Sequence, residues 1–171
     1  MSACDNNPRS EALGGGEPCV GSFLDGSYSA SANACTICGS ADPERTIDGS
    51  RSSYGSRYQT SGTYSLRAVA PSGVIFPAGN FAGALMRIPV GYSPGTTWTI
   101  STYLGGVPQE SRSPANASGG DPANPTGEDD YYGFTARSSF DSVEVSMAGG
   151  TTDTVNISNT PVRIYEFCGQ R

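Results

Sequence analysis

Apolar side chains recur at every second position in short segments of the chain, and these segments end at glycine or proline. Residues 97–104 are the clearest example, because Trp98 and Ile100 fall on one face of an extended strand while polar side chains fall on the other. Gly105 and Gly106 follow, and such a pair supplies the positive φ angles of a tight hairpin turn. The pattern predicts a β-hairpin here, with Trp98 in the core.

Segments of the same kind are spread over most of the chain. The candidate strands cover residues 20–24, 28–34, 64–69, 74–76, 81–88, 97–104, 131–135, 139–147, 154–157 and 162–168. Turn residues separate them, which is typical of a protein built from many short strands. About eight to ten such strands predict an all-β fold, an antiparallel two-sheet sandwich of the jelly-roll type.

The last of these strands carries an acid among apolar residues. Simple alternation places Val162, Ile164, Glu166 and Cys168 on one face and Phe167 on the other. A carboxylate on an inward face needs a partner, because burying an unpaired charge is costly. We therefore expect a counter-charge or a cation near Glu166.

Length and composition indicate one domain with a polar leading segment. The chain has 171 residues, 23 of them glycine and 12 proline, and 36% of all residues are hydrophobic. Residues 1–18 are polar and include three consecutive glycines, which predicts a flexible arm or linker. Residues 19–171 are predicted to form a single β-sandwich domain. The arm could also add a strand to a neighbouring subunit.

The charged residues exclude several classes of function. The chain has no lysine and no histidine, so all ten basic residues are arginine, and sixteen acids give a net charge of −6. An acidic chain repels a phosphate backbone, so no nucleic-acid binding is expected. The usual histidine-based proton transfer and nucleophile activation are excluded, and we expect no enzyme. No apolar stretch is long enough for a membrane helix or a signal-peptide core, so no membrane insertion is expected.

Five cysteines are consistent with an oxidising compartment, outside the cell or on its surface. Cys35 and Cys38 could form a redox pair, half of a zinc site or a small disulfide loop. A redox pair needs a βαβ context and a zinc site needs two more ligands, and the sequence offers neither, so the disulfide is favoured. Cys19 with Cys168 would tie the first strand to the last. Cys4 would then stay free, pair between subunits, or displace one partner of that pair.

Several segments resemble known β-sandwich modules. Residues 41–50 (ADPERTIDGS) and residues 132–145 (YGFTARSSFDSVEV) resemble conserved segments of discoidin-like, galactose-binding-type jelly rolls. Residues 76–83 and 100–110, with the Cys35–Cys38 pair, are similar to repeat domains of bacterial surface adhesins. The resemblance extends over about residues 20–168. It implies a jelly-roll module on a bacterial surface, without an established enzymatic activity and without an identified ligand.

The same resemblance implies a metal site. Discoidin-like modules often hold a structural calcium at an Asp–Gly turn together with an acid from the last strand. In this chain Asp48 and Glu166 match those positions. The alternative is that Arg45 or Arg51 forms a salt bridge there. Structural calcium is the only cofactor that we expect.

Sugar binding would need exposed aromatic rings with hydrogen-bonding groups beside them. The best candidates lie in predicted loops and are Tyr54, Arg57, Tyr58 and Tyr92. A second candidate set is Tyr131 and Tyr132 beside Asp129 and Asp130. The alternative is that these tyrosines pack across strands as ordinary structure.

Two Asn-x-Ser motifs, at Asn116 and Asn156, are candidate N-glycosylation sites. The features together predict an extracellular structural or adhesive subunit that self-assembles into a surface filament or lattice, because open sheets have edges that accept added strands. Its partners would be copies of itself. The alternative is a carbohydrate-binding module of a surface adhesin, with glycans as partners.

Overall fold

The computed structural model describes residues 21–34, 38–50, 52–59, 62–89, 96–113, 127–149 and 162–169; at residues 38–41, 57–59, 96 and 149 it describes the backbone alone. These residues form ten strands: β1 Ser27–Asn33, β2 Cys38–Ala41, β3 Gly55–Gln59, β4 Thr63–Val69, β5 Phe81–Arg87, β6 Thr96–Leu104, β7 Val107–Arg112, β8 Asp129–Thr135, β9 Ser142–Gly149 and β10 Val162–Gly169. A one-turn 3-10 helix, Pro43–Thr46, follows β2.

The strands form two five-stranded sheets. The first sheet has the order β1-β4-β9-β6-β7, and the second sheet has the order β2-β3-β10-β5-β8. All pairings between neighbouring strands are antiparallel. The predicted all-β, two-sheet jelly-roll sandwich is therefore confirmed.

The main core lies between the two sheets. Leu66, Ile100 and Val145 from the first sheet pack with Met86 and Ile164 from the second, and each of these side chains is completely buried. Burying one such side chain stabilises the fold by about 1.5–3 kcal/mol. The hydrophobic effect therefore holds the layers together.

The predicted hairpin is confirmed. It joins β6 to β7, and Gly105 and Gly106 have φ angles of 57° and 80°. Two successive positive φ angles match the right-handed twist of the strands that they connect. Trp98 is 4% exposed and belongs to the inter-sheet core, as its place in the alternating pattern predicts.

The strand predicted at residues 20–24 is wrong. Residues 21–25 form a turn, in which the backbone N–H of Leu24 donates to the carbonyl of Gly21 at 3.1 Å. Positive φ angles at Gly21 and Asp25 bend the chain at both ends of this turn. Phe23 is completely buried, with its ring centre 5.2 Å from that of Phe76. The apolar residue that indicated a strand instead closes one end of the sandwich.

The facing predicted for the last strand is also wrong. The pairing between β10 and β5 shifts register between Ile164 and Glu166, so the simple alternation is broken at Tyr165. Beyond this bulge Phe167 joins the inter-sheet core. Cys168 instead packs with Tyr165 in a second apolar cluster. A bulge inserts one residue into a ladder and thereby exchanges the two faces of the strand beyond it.

The described residues include no helix that is both long enough and apolar enough to cross a membrane.

Candidate functional site

A row of arginine and tyrosine side chains runs across the second sheet. We call it the Arg–Tyr row; its members are Tyr54, Arg87, Asp129, Arg163 and Tyr165. The guanidinium carbon of Arg163 lies 4.6 Å from the ring centre of Tyr54. The rings of Tyr54 and Tyr165 meet edge to face, with their centres 5.6 Å apart. At the other end, Arg87 Nε donates to Asp129 Oδ1 at 2.6 Å.

Strand register brings these residues together from distant parts of the chain. β10 lies between β3 and β5, and Arg163 is paired with Ser56 on one side and with Arg87 on the other. Arg87 in turn is paired with Asp129 of β8. Side chains at paired positions of neighbouring strands lie on the same face at about 4.5–5.5 Å between Cβ atoms. The row is therefore fixed by three adjacent strand pairings.

The hydroxyl of Tyr165 lies between the two charged ends of the row. Burial is the main reason why the pKa of Tyr165 is raised; Arg163 lowers that pKa by hydrogen bonding, and Asp129 raises it. The hydrogen bond to Asp129 also raises the pKa of Arg87. Tyr165 therefore interacts electrostatically with Arg163, Asp129 and Arg87, and Arg87 is bonded to Asp129.

Arg163 differs from most other arginines of the protein. Six arginine side chains are described, and four of them have a carboxylate partner: Arg45, Arg67, Arg87 and Arg112. Arg137 is exposed, and its backbone N–H bonds to Glu110. Within the described part of the chain, Arg163 has contacts with tyrosines but no ion pair. Its charge is thus held in place without a carboxylate partner in the described ranges.

The row rests on an apolar base, the second cluster, on the outer face of the second sheet. Its buried members are Phe81, Leu85, Tyr131, Tyr165 and Cys168, each no more than 6% exposed, and the partly buried Tyr54 packs against them. Glycine at position 133 allows Phe81 to lie close to the sheet, because a Cβ there would come 2.6 Å from Phe81 Cζ. Packing of this kind holds Tyr54 and Tyr165 in one orientation.

In the predicted sugar-binding set of Tyr131 and Tyr132 beside Asp129 and Asp130, every residue except Asp129 is buried. Tyr131 and Tyr132 are each 1% exposed, so neither ring can act as a platform for a ligand. Asp130 is 7% exposed, and its Oδ1 accepts a hydrogen bond from the backbone N–H of Tyr131. These residues form structure rather than a site, as the alternative interpretation of the tyrosines states.

Of the other predicted sugar-binding set, the structure describes only the side chain of Tyr54. Tyr54 is partly buried within the Arg–Tyr row. Arg57 and Tyr58 lie in β3, where the backbone of Arg57 pairs with that of Val162 beside the row, and their side chains are outside the description. Tyr92 also lies outside the described residues. Sequence reasoning missed Arg163 and Tyr165, because only the register of β10 shows that they meet Tyr54.

A second polar feature centres on the carboxylate of Glu166. Its Oε1 accepts hydrogen bonds from the backbone N–H groups of Gly21 and Gly49, both at 3.1 Å. Its Oε2 is buried and has no hydrogen-bond partner among the described residues. Burial raises the pKa of Glu166 to about 8, although the two N–H donors act in the opposite direction. The site therefore holds an acid whose second oxygen is left without compensation.

Asp48 lies close to this acid, as the predicted calcium site requires. Its charge contributes to the raised pKa of Glu166, and Gly49 next to it donates to Glu166 directly. Asp48 itself accepts hydrogen bonds from Ser50 N at 2.9 Å and from the Ser53 hydroxyl at 2.6 Å. Arg45 pairs with Asp42 instead, at 3.7 Å.

These donors fit a calcium ion. The described residues contain no cluster of three or more acidic, histidine or cysteine side chains. Calcium, however, accepts backbone carbonyl oxygens among its six to eight ligands. The orphaned Oε2 of Glu166 is an oxygen that a bound cation would satisfy. Glu166 and Asp48 would hold the ion, and the ion would supply structural cross-linking rather than chemistry.

Comparison with known proteins gives likeness at the level of fold. No protein-family model and no curated protein matches the chain. Among solved structures, chitosan-binding module 1 from a chitosanase/glucanase of Paenibacillus sp. IK-5 is similar, with 17% identity and a TM-score of 0.47 over 86% of this chain and 96% of that chain. CBM32-3 from a family 31 glycoside hydrolase of Clostridium perfringens has 14% identity and a TM-score of 0.45 over 82% of this chain and 90% of that one.

The strand order of the two facing sheets decides the class of fold. The fold is an antiparallel two-sheet jelly roll. In this jelly roll the Arg–Tyr row lies on the outer face of the second sheet, and the Glu166 site lies beside the turn of residues 21–25. The resemblance to adhesin repeats stays a prediction.

The remaining predicted sites of the jelly roll lie mostly outside the description. Cys168 is completely buried in the second cluster. Cys4, Cys19, Cys35 and the side chain of Cys38 are outside the described residues, so all cysteine pairings stay predictions. Residues 1–18 and the glycosylation motifs at Asn116 and Asn156 are outside them as well.

Proposed function

We propose that this chain is a non-catalytic carbohydrate-binding module and that the Arg–Tyr row is its glycan contact. The observation that carries the proposal is Arg163, a charged side chain that two tyrosines hold on a sheet face without a carboxylate partner among the described residues. Sites that bind small ligands combine apolar or aromatic surface with a few fixed polar groups. The row has this composition.

The chemistry of each member suits a sugar. The partly buried ring of Tyr54 offers apolar surface with a hydroxyl at the edge, and the buried ring of Tyr165 packs against it. Arg163 offers N–H donors, and Asp129 offers carboxylate acceptors. A sugar hydroxyl can therefore accept a hydrogen bond from Arg163 or donate one to Asp129. Because Tyr165 is buried and Tyr54 packs against it, little side-chain entropy would be lost on binding.

Calorimetric titration with a panel of neutral and charged oligosaccharides tests the proposal. We expect at least one to bind, and Tyr54→Ala to weaken that binding tenfold or more, by about 1.4 kcal/mol. Tyr28→Ala is the matched control, since Tyr28 is a 42% exposed tyrosine on the first sheet. The proposal fails if no glycan binds, or if both variants bind as the wild type does.

We further propose that the Glu166 site binds calcium as a structural ion. The support is the buried Oε2 of Glu166, which lacks a partner among the described residues, together with the nearby charge of Asp48. An ion there would cross-link the turn of residues 21–25, the Asp48–Gly49 turn and β10, because Glu166 already contacts the first two.

Thermal unfolding with calcium and with a chelator tests this site. At a calcium concentration about a hundred times the Kd, the ion stabilises by about 2.7 kcal/mol, which raises Tm by roughly 5–10 °C for a domain of this size. Glu166→Gln should abolish the response, and Glu144→Gln, on the first sheet, should retain it. An unchanged Tm of the wild-type protein would overturn the proposal.

Self-association is a second candidate function, and the edge strand β1 favours it. All seven residues of β1 are exposed, and the strand contains no charge and no proline. Tyr28 and Ala30 pair with Ala68 and Leu66 of the core, so they point to the core side of the sheet and are nevertheless uncovered. Unprotected edges of this kind accept strands from other chains.

The opposite edge of the first sheet is protected. β7 contains Pro108, Glu110 and Arg112, and its pairing with β6 shifts register. Proline, charge and bulges all oppose strand addition. We therefore propose that copies of the chain pair through β1, and that β7 does not take part.

Sedimentation over a range of protein concentrations tests this pairing. Dimers should form as the concentration rises, and Ala30→Arg should prevent them. Val107→Arg is the control, because Val107 is a 60% exposed residue of the protected edge. A wild-type protein that is monomeric at all concentrations, with and without reductant, contradicts the candidate. A location outside the cell, where the predicted disulfides and glycans would form, remains part of the proposed function.

A further inference from the structure

We propose that the Arg–Tyr row selects glycans that carry a carboxylate, such as hexuronic acid residues, and that Arg163 is the residue that binds this group. The inference rests on the proposed function, because it names the class of sugar that the same site takes. It starts from the one property of Arg163 that a neutral sugar would not require, which is a charge without a carboxylate partner among the described residues.

The first argument is the geometry of the guanidinium group. The guanidinium carbon of Arg163 lies 4.6 Å from the ring centre of Tyr54. The N–H donors of arginine lie in the guanidinium plane, in a fork that matches a carboxylate. The neighbouring Tyr165 interacts with this guanidinium group, since Arg163 lowers the pKa of Tyr165. The fork of N–H donors can meet both oxygens of a carboxylate, in the parallel arrangement that arginine favours.

The second argument is the charge of the neighbouring strands. Arg163 and Arg87 are directly paired across β10 and β5, so two guanidinium groups occupy adjacent positions on one face. Asp129 and, more weakly, Glu128 act on Arg87. Neither of these acids forms an ion pair with Arg163 in the described residues. A ligand carboxylate would supply the counter-charge that Arg87 has and that Arg163 lacks within the described part of the chain.

The third argument is specificity against neutral sugars. A charge-assisted hydrogen bond is roughly twice as strong as a neutral one, and a bidentate pair also fixes orientation. A hydroxyl offers a single oxygen to the same fork. The site should therefore prefer the acid over an uncharged sugar of the same shape.

The experiment compares a hexuronic acid trisaccharide with its fully methyl-esterified form, which has the same shape without the charge. Calorimetric titration should give about ten- to hundredfold tighter binding of the acid form. In Arg163→Gln this preference should fall to less than threefold. Arg137→Gln is the control, because Arg137 is exposed and likewise has no ion pair among the described residues. Added salt should weaken the binding of the acid form more than that of the ester.

Each outcome decides between the two proposals. Equal affinity for acid and ester overturns this inference and leaves the carbohydrate-binding function standing. Binding of neither form, together with failure of the wider glycan panel, overturns both. A preference that survives in Arg163→Gln, or a stronger preference for a sulfated trisaccharide, overturns the assignment to a carboxylate at Arg163. Circular dichroism verifies that the variant is folded, and Arg163→Lys, which keeps the charge without the planar fork, should show an intermediate preference.

Discussion

The protein stacks an arginine on a tyrosine on the outer face of each sheet, and the two pairs are completed differently. On the first sheet the guanidinium carbon of Arg67 lies 3.5 Å from the ring centre of Tyr103. Glu144 accepts two hydrogen bonds from Arg67 and one from the Tyr103 hydroxyl, at 3.0–3.1 Å. On the second sheet Arg163 stacks on Tyr54 and has no carboxylate partner among the described residues.

The difference shows that residue types alone do not define a binding site. With Glu144 between them, Arg67 and Tyr103 satisfy one another and form a cross-link between β4, β9 and β6. Without such an acid, Arg163 retains donors for an external partner. Whether a neighbouring strand places an acid beside the arginine therefore decides whether the arginine–tyrosine pair forms a structural cross-link or a binding site.

The largest expected effect is a difference in unfolding free energy between removing a tyrosine from the outer face of the second sheet and removing one from the outer face of the first sheet. Tyr165→Ala removes a 6% exposed ring from the second cluster and should cost about 3 kcal/mol of unfolding free energy. Tyr103→Ala removes a ring that is only partly buried and should cost about 1 kcal/mol. Urea unfolding of both variants gives the comparison. Equal costs would mean that the base of the Arg–Tyr row is no more tightly packed than the first face.

The next effect concerns the acids. Glu144→Gln removes the charge that holds both Arg67 and Tyr103, and its side chain is 14% exposed, so we expect a loss of about 1–2 kcal/mol. Asp129→Asn is the matched change on the second sheet. There both partners of the ion pair are about 40% exposed, and solvent screening limits the loss to about 0.5 kcal/mol. A larger loss in Asp129→Asn would reverse the assignment of structural and binding faces.

A smaller effect should appear at alkaline pH. Burial and the carboxylate of Glu144 raise the pKa of Tyr103 above its ordinary value near 10. A raised pKa means that the neutral hydroxyl stabilises the fold below about pH 10 and that this contribution is lost as the pH rises through the folded value. The stability advantage of wild type over Tyr103→Phe should therefore shrink between about pH 9 and pH 12. An advantage that is constant over this range contradicts the hydrogen bond to Glu144.

A loss of stability as small as that of Asp129→Asn is expected at the proposed ligand-binding residue itself. Arg163→Gln removes a stacked charge without breaking an ion pair among the described residues, so we expect at most about 0.5–1 kcal/mol of destabilisation. Arg67→Gln, the equivalent change on the first sheet, should cost more, because it leaves Glu144 without its charged partner. If Arg163→Gln is the more damaging of the two, the row is a structural element first.

Much of the fold follows from local patterns in the sequence. Alternation around Trp98 and Ile100 specifies β6, and Gly105 with Gly106 specifies its hairpin, because both signals act within a few residues. The errors arise where distant contacts decide. The apolar residues around Phe23 indicate a strand, but in the structure Phe23 lies in a turn and packs against Phe76 at the end of the sandwich. The bulge at Tyr165 depends on how β10 matches β5, which no local pattern encodes.

For the candidate site, the sequence predicts some of the residue types but not which residues lie next to one another. The sequence indicates Tyr54 as a sugar contact because it is an aromatic residue in a predicted loop, and the resemblance to discoidin-like modules implies Glu166 with Asp48 as a metal pair. It does not indicate Arg163 or Tyr165, since they are ordinary members of an alternating strand until the register with Arg87 is known. It also overvalues Tyr131, whose burial depends on Phe81 and Leu85 of another strand.

The contacts of Gly21 and Ser22 with the last strand have a mechanical consequence. Gly21 bonds to Glu166, and the Ser22 hydroxyl donates to the carbonyl of Gly169, so the first and last described segments are fastened to each other across about 145 positions of the chain. A force applied between these two segments would be borne by this clasp together with the β10–β5 ladder, of which Gly169 is a member.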